Sequence, residues 1–294
     1  MGNDISPAQR VFSERISKRP EQKSDIAEKN KDKPIGIFDS GVGGLTVFSE
    51  FIKILPHEDV IYLADTARVP YGGRPYEEIL EINRGILDYF KDRGVKMVIM
   101  ACGTSSSMAY PALKDNYEFP IISLIEPGAR SAVAASKNGR IGVIATQGTI
   151  KSNSYNNKIK ELKKEAEVFS EACPLFVPLI EGGFIDSEET RKTARGYLAP
   201  LIAKKIDTLV LGCTHYPHLK RVISEIVGLE VALIDPAIEA VEDAKKILSQ
   251  NHLLSNNKGS SNYEYVVTGP PLHFQELGSK LLGRSIPRAH QIKL

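Results

Sequence analysis

The sequence predicts an α/β protein: two similar doubly wound parallel-sheet domains related by pseudo-twofold symmetry, with the functional cleft between them. Three observations carry this expectation. From Pro34 onward, short β-rich runs alternate with longer amphipathic stretches. The runs are apolar throughout, as strands covered by helices on both faces must be. The pattern also repeats at long period: "IGIFDS" (35–40) precedes "VKMVIMAC" (95–102) as "IGVIAT" (141–146) precedes "IDTLVLGC" (206–213). The first-to-last spans, Ile35 to Cys102 and Ile141 to Cys213, are 67 and 72 residues by subtraction of those numbers.

At 294 residues the chain suffices for two domains, each with a core of its own. Residues 1–33 hold eight Lys/Arg and six Asp/Glu with few apolar side chains, and are expected to be a flexible extension with at most one amphipathic turn near "QRVFSERI". Strands are expected at IGIF, VIYLAD, VKMVIMAC, PIISLI, RIGVIAT, AEVFSEACP, TLVLGC and VALIDP. Between the second and third, "YEEILEINRGILDYFKDRG" places Ile79, Ile82, Ile86 and Tyr89 on one helical face. "VPYGGRP" in the first half and "VPLIEGG" in the second form matching Pro/Gly segments, and Glu181 is expected in a loop ending a strand-like "PLFVPLI". The predicted division is 34–126 plus 236–286 for the first domain and 127–235 for the second, with 287–294 a tail.

Composition narrows the function classes. The 38 basic and 36 acidic residues are spread along the chain, for a formal charge of +2, so nothing favours broad binding of nucleic acid or an anionic membrane. Three cysteines at 102, 173 and 213 match neither a disulfide framework nor a zinc pattern, and point to a reducing cytoplasm. No run approaches the roughly 18 apolar residues that span a bilayer, and the N-terminus lacks the apolar core of a signal peptide.

In open parallel sheets ligands bind beyond the carboxyl ends of the strands, where Asp39, Cys102, Thr146 and Cys213 fall. Two halves facing one another bring both cysteines to one cleft. One thiolate then removes a proton while the opposite thiol delivers one, and a planar intermediate between them is inverted. Asp39 is placed to assist Cys102; His215, two residues past Cys213, and Glu181 are placed to assist the second thiol. The backbone N–H groups of "SGVGG", with Ser40, Thr104, Thr146 and Thr214, are suited to a carboxylate.

Other features take plainer readings. Cys173 and the histidines at 57, 218, 252, 273 and 290 lack such company and are assigned to packing or surface. "GVGG" does not fit the spacing of a dinucleotide loop, and no Lys follows it as in a P-loop. Asp65 reads as a turn or cap residue, and Pro70, Tyr71 and Gly72 as a substrate wall.

The strings "IGIFDSGVGGLTV", "YLADTARVPYGGRPYEEI", "CGT", "CPLFVPLIEGG" and "LGCTHYPHL" resemble the cofactor-independent glutamate racemases, from about residue 34 to 283. The resemblance implies interconversion of L- and D-glutamate for peptidoglycan, without metal or pyridoxal phosphate, commonly in a homodimer. It implies that Cys102 acts on the D-enantiomer with Asp39 as its partner, and Cys213 on the L-enantiomer with Glu181 and His215. Ser40, Pro70, Tyr71, Gly72, Thr104, Thr146 and Thr214 match its substrate-contacting positions. The family usually has Asn after the first cysteine; this chain has Gly103, which leaves only a backbone N–H to meet a substrate there. Two alternatives stay open: a racemase of aspartate or another small acid, and a catalytically silent amino-acid-binding protein on the same scaffold.

Overall fold

The eight expected strand runs each form a strand in the computed structural model, which describes residues 30–257 and 259–294. The expected extension, including its amphipathic turn, lies outside the described residues up to position 29.

Strands β1 (Ile35–Asp39), β2 (Val60–Ala64), β3 (Met97–Met100) and β4 (Ile121–Ile122) join β9 (Tyr263–Val267) and β10 (Ala289–Gln291) in a six-stranded sheet ordered β10-β9-β2-β1-β3-β4. Strands β5 (Arg140–Ala145), β6 (Glu167–Ala172), β7 (Thr208–Leu211) and β8 (Ala232–Ile234) make a second sheet ordered β6-β5-β7-β8. Every pairing is parallel. The order β2-β1-β3-β4 in the first sheet is repeated as β6-β5-β7-β8 in the second, so the sequence repeat is also a topological one. In both sheets the first strand pairs with the second on one side and the third on the other. This is the switch point at which neighbouring connections diverge and open a crevice.

The first, second and third strands of the first sheet are buried along their whole length, which explains their uninterrupted apolar sequences. Helix α1 (Leu45–Ile54) follows β1 directly and buries Leu45, Val47, Phe48 and Phe51 against one face. Helix α2 (Tyr76–Asp92) covers the other face with Ile79, Ile82, Ile86 and Phe90, while Tyr89 on the expected stripe is only partly buried. Each such fully buried side chain contributes roughly 1.5–3 kcal/mol. In the second sheet, α5 (Ile125–Ala135) and α7 (Ser154–Leu162) cover one face. The other is covered by α8 (Phe176–Glu181), α9 (Glu188–Ala203) and α10 (Lys220–Val227). Further helices among the described residues are α3 (Gly103–Met108), α4 (Tyr110–Leu113), α6 (Gln147–Lys151), α11 (Ala237–Gln250) and α12 (Pro271–Leu282), with a short 3-10 turn at Tyr216–Leu219.

Three expectations need correction. Residues 287–294 are not simply a tail: β10 (Ala289–Gln291) pairs along β9 (Tyr263–Val267), and neither strand was foreseen. "PLFVPLI" is not strand-like. Phe176, Val177 and Ile180 of α8 turn one helical face into the core, Pro178 sits within the first turn, and Glu181 is the last helical residue rather than part of a loop. "VPYGGRP" and "VPLIEGG" therefore mirror one another in sequence but not in conformation, the first being a loop and the second mostly helix.

Candidate active site

Because β1 and β3 are neighbours in register, with Phe38 opposite Met100, Asp39 and Cys102 emerge side by side at their carboxyl ends. The equivalent pairing of Ile144 with Leu211 sets Thr146 beside Cys213 in the second sheet. The two strand-end clusters face each other. A Cβ built on Gly103 would lie 2.4 Å from the carbonyl oxygen of Gly212 and 3.4 Å from Cα of Cys213. Gly103, directly after the first thiol, and Gly212, directly before the second, are thus in backbone contact, and Cys213 is close enough to act electrostatically on Cys102. Both thiols are reduced and buried, Cys102 4% and Cys213 6% exposed.

Side-chain contacts cross the seam between the two sides at several points. Thr214 Oγ1 donates to Asp39 Oδ2 over 2.9 Å. The hydroxyls of Thr104 and Thr146 lie 2.9 Å apart. Val42 N–H, in the glycine turn after β1, donates to Glu181 Oε1 over 3.2 Å. Thr46 Oγ1 donates to the Thr214 carbonyl over 3.2 Å. One backbone bond joins them, from Gly148 N–H to the Gly72 carbonyl at 2.8 Å.

On the first side, Gly41 N–H donates to Asp39 Oδ1 over 2.8 Å, and Ser40 is buried in the same turn. Burial pushes the Asp39 carboxyl up despite His215, Gly41 and Thr214 pulling it down. The Cys102 thiol is pushed up to about 12, by burial first and then by the neighbouring Asp39 charge, with Ser105 opposing both. In this arrangement Cys102 is a protonated acid.

The second side carries the opposite character. His215 Nε2 donates to Glu181 Oε1 over 2.7 Å, and Nδ1 lies 3.8 Å from Cys213 Sγ. Burial pulls His215 down, but bonds to Cys213 and Glu181 outweigh it and hold the imidazolium well above its usual range. Burial works to raise Glu181, but the His215 bond and charge and the Val42 N–H hold its carboxylate below the ordinary value. The result is a carboxylate–imidazolium–sulfur relay with the cation aimed at Cys213. A Cβ on Gly43 would stand 2.2 Å from His215 Nδ1, so the glycine turn is there for close approach to the imidazole.

The substrate-wall residues divide. Tyr71 is buried with its hydroxyl turned to Asp65, Gly72 packs on Thr146, and Pro70 is exposed. Outside the Gly72–Gly148 contact lies a cavity of about 560 Å³ whose walls include Arg74, Tyr76, Met108, Gln147 and Lys151. The sequence reading missed Ser105 beside Cys102, and Ser107 and Thr149, whose hydroxyls extend the Thr146 network at 3.2 and 3.1 Å. The hydroxyl run in "CGTSSS" was the available signal. Cys173 packs in the core next to Phe176, and His218 is partly buried and lowered to about 4 by burial, as suits packing roles. Among the described residues no group of three or more His, Cys, Asp or Glu is arranged to hold a metal ion, and no helix is long and apolar enough to cross a membrane.

Residues 44–244 match the family described as Asp/Glu/Hydantoin racemase. The chain is 47% identical over 262 residues to the glutamate racemase of Geobacter metallireducens, covering 89% of this chain and 97% of that protein. It is 44% identical to that of Syntrophus aciditrophicus, again over 89% and 97%. Among solved structures, the Francisella tularensis glutamate racemase in complex with D-glutamate is similar with a TM-score of 0.83 at 36% identity. The Bacillus anthracis isoform RacE1 is similar with a TM-score of 0.86, also at 36%. Each comparison spans 90% of this chain and 98% of the other. With two matching sheets, a thiol at the end of the third strand of each, and this degree of similarity, the chain belongs to the Asp/Glu/Hydantoin racemase family, among the glutamate racemases.

Proposed function

We propose that this protein interconverts L- and D-glutamate by a two-base mechanism, without a cofactor, with Cys102 and Cys213 as the two bases. The observation that carries this reading is the contact of the Gly103 and Gly212 turns, which sets two sulfurs from different sheets at one seam. In the L-to-D direction Cys213, supported by the His215 imidazolium, takes the α-proton as a thiolate. The planar carbanion is held between the two sides, and the Cys102 thiol delivers its proton to the opposite face. Asp39 receives and returns the Cys102 proton in the reverse cycle. Glu181 holds His215 in its charged form and orientation. Ser40, Gly72, the Gly103 N–H, Thr104, Thr146 and Thr214 hold the substrate carboxylates once the sides part, with Tyr71 and Pro70 in the wall behind Gly72.

The same reading assigns the product to peptidoglycan synthesis, the protein to the cytoplasm, where its three free thiols stay reduced, and its assembly to a homodimer. The test is turnover of purified protein with L-glutamate in deuterium oxide and no added cofactor. D-Glutamate carrying deuterium at the α-carbon is expected, and aspartate in parallel is expected to turn over far more slowly. Cys102→Ala and Cys213→Ala should each abolish inversion. Calorimetric binding of glutamate with no isomerisation would identify a silent binder instead.

A further inference from the structure

Asp65 follows β2 and is wholly buried, yet nothing in the two-thiol mechanism uses it. Three donors converge on its carboxylate. Tyr71 OH donates to Oδ2 over 2.5 Å, Thr268 Oγ1 to Oδ1 over 2.6 Å, and Arg68 Nε lies 3.0 Å from Oδ1 and 2.8 Å from Oδ2. Its backbone joins the site as well, since Asp65 N–H donates to the Asp39 carbonyl over 2.9 Å. Thr268 lies just past β9 and also accepts from Ala67 N–H, while Gly269 N–H donates to Thr66 Oγ1. The root of the 65–75 loop is thereby stitched to a strand that the sequence repeat does not contain.

The far end of that loop meets the other sheet. Gly72 packs so closely on Thr146 that an added Cβ would lie 2.5 Å from its Cβ, and the Gly72 carbonyl accepts from Gly148. Tyr71 spans the two ends: its ring packs in the cluster that contains Cys102 while its hydroxyl reaches Asp65. We propose that Asp65 is a positioning residue for the substrate wall, holding Tyr71 and through it Gly72 where the cleft closes on the substrate. As the structure stands all three partners donate to the carboxylate, two of them through Oδ1 and Tyr71 through Oδ2. Asn keeps one acceptor oxygen and no charge, so the contact with Tyr71 becomes a neutral amide–hydroxyl bond and loses its charge-assisted strength.

The inference rests on the glutamate-racemase reading, and the experiment separates the two. Racemisation kinetics are measured for the wild-type protein, Asp65→Asn, Tyr71→Phe and the double variant, with thermal melts of each. A preset wall binds ground and transition states alike, so KM should rise about tenfold, the size of one hydrogen bond to a charged group, with kcat within about threefold. Because both residues act through one contact, the double variant should be no worse than Asp65→Asn alone. A wild-type protein that leaves glutamate unchanged removes the functional reading. An active wild type with unaltered KM in both single variants, or multiplicative losses in the double, overturns the positioning role. If Asp65→Asn does not fold, the KM of Tyr71→Phe decides alone.

Discussion

Thr214, in the turn after Cys213, donates its hydroxyl to Oδ2 of Asp39, which stands beside Cys102 on the other sheet, over 2.9 Å. The carboxylate proposed to serve one thiol is thus gripped by the turn that carries the second. Val42 and Glu181 make the reciprocal link. Bonds that hold the two sides together therefore end on the proton-handling groups themselves.

Asp39 is held above the ordinary carboxyl range chiefly by burial. A raised folded-state value means its contribution to stability is complete below the unfolded value of about 3.9 and is lost as pH rises through the folded value. At neutral pH the ionised group therefore weighs against the fold. Asp39→Asn should raise Tm at pH 7.5, by about 2–4 °C for each kcal/mol recovered in a protein of this size class. The same variant should lose roughly 10²-fold or more in kcat/KM. The loss must be equal in both directions, because two enantiomers have equal free energy. A lower Tm at pH 7.5 contradicts the electrostatic account.

Glu181→Gln removes one of the groups that hold His215 as an imidazolium. The His215 value is raised, so its charge is present below the ordinary histidine range and is lost only as pH climbs through the elevated value. Without the Glu181 carboxylate that loss should occur at lower pH. The alkaline limb of the kcat/KM profile should move down by about one pH unit or more, with roughly 10²-fold lower activity at pH 8. NMR titration of the imidazole reports the same shift directly, and an unmoved profile removes the relay.

Gly103 abuts the Gly212 carbonyl, and neither backbone has a flexible end that yields. Gly103→Ala, and Gly103→Asn with the residue usual in the family, should hold the two turns apart. The expected result is a drop of about tenfold or more in kcat, as misplacement on the order of 1 Å brings. Alkylation of Cys102 and Cys213, followed by mass spectrometry, should become faster as the seam opens. Equal activity and equal protection in both variants would show that the contact does not limit closure.

Far from the cleft, Lys96 and Glu58 form an ion pair with side chains 1% and 2% exposed. Lys96 Nζ also donates to the Leu253 carbonyl over 2.9 Å, and Glu58 Oε1 accepts from Ser255 N–H over 2.8 Å, which ties the segment before β9 to the sheet. Lys96→Met should cost about 3–5 kcal/mol by stranding a buried carboxylate. Glu58→Gln in the same background should recover much of that loss in urea unfolding, since the amide keeps the acceptor for Ser255.

The eight strands of the repeat were legible because each is a short apolar run bounded by turn residues. β10 was not, since Ala289–Gln291 exposes its histidine and glutamine and is a strand only through its partner β9. "PLFVPLI" illustrates another limit. Over seven residues an apolar run satisfies a strand and a helical face equally, and only the packing of Phe176, Val177 and Ile180 chooses the helix. Asp65 looked like a turn residue, and it is one; that Tyr71, Arg68 and Thr268 converge on it depends on β9 lying against β2.

The chain's own order determined which groups stand at the strand ends: Asp39 and Cys102 after one pair, Thr146 and Cys213 after the other, with the chemistry of two thiols already implied. Strand periodicity is local and survives in a linear string. Tertiary structure alone decided that Thr214 meets Asp39 and that Glu181 meets Val42, contacts between residues 175 and 139 positions apart. Such partners are chosen by how two sheets pack across a seam, and that packing depends on side chains from every part of the chain at once.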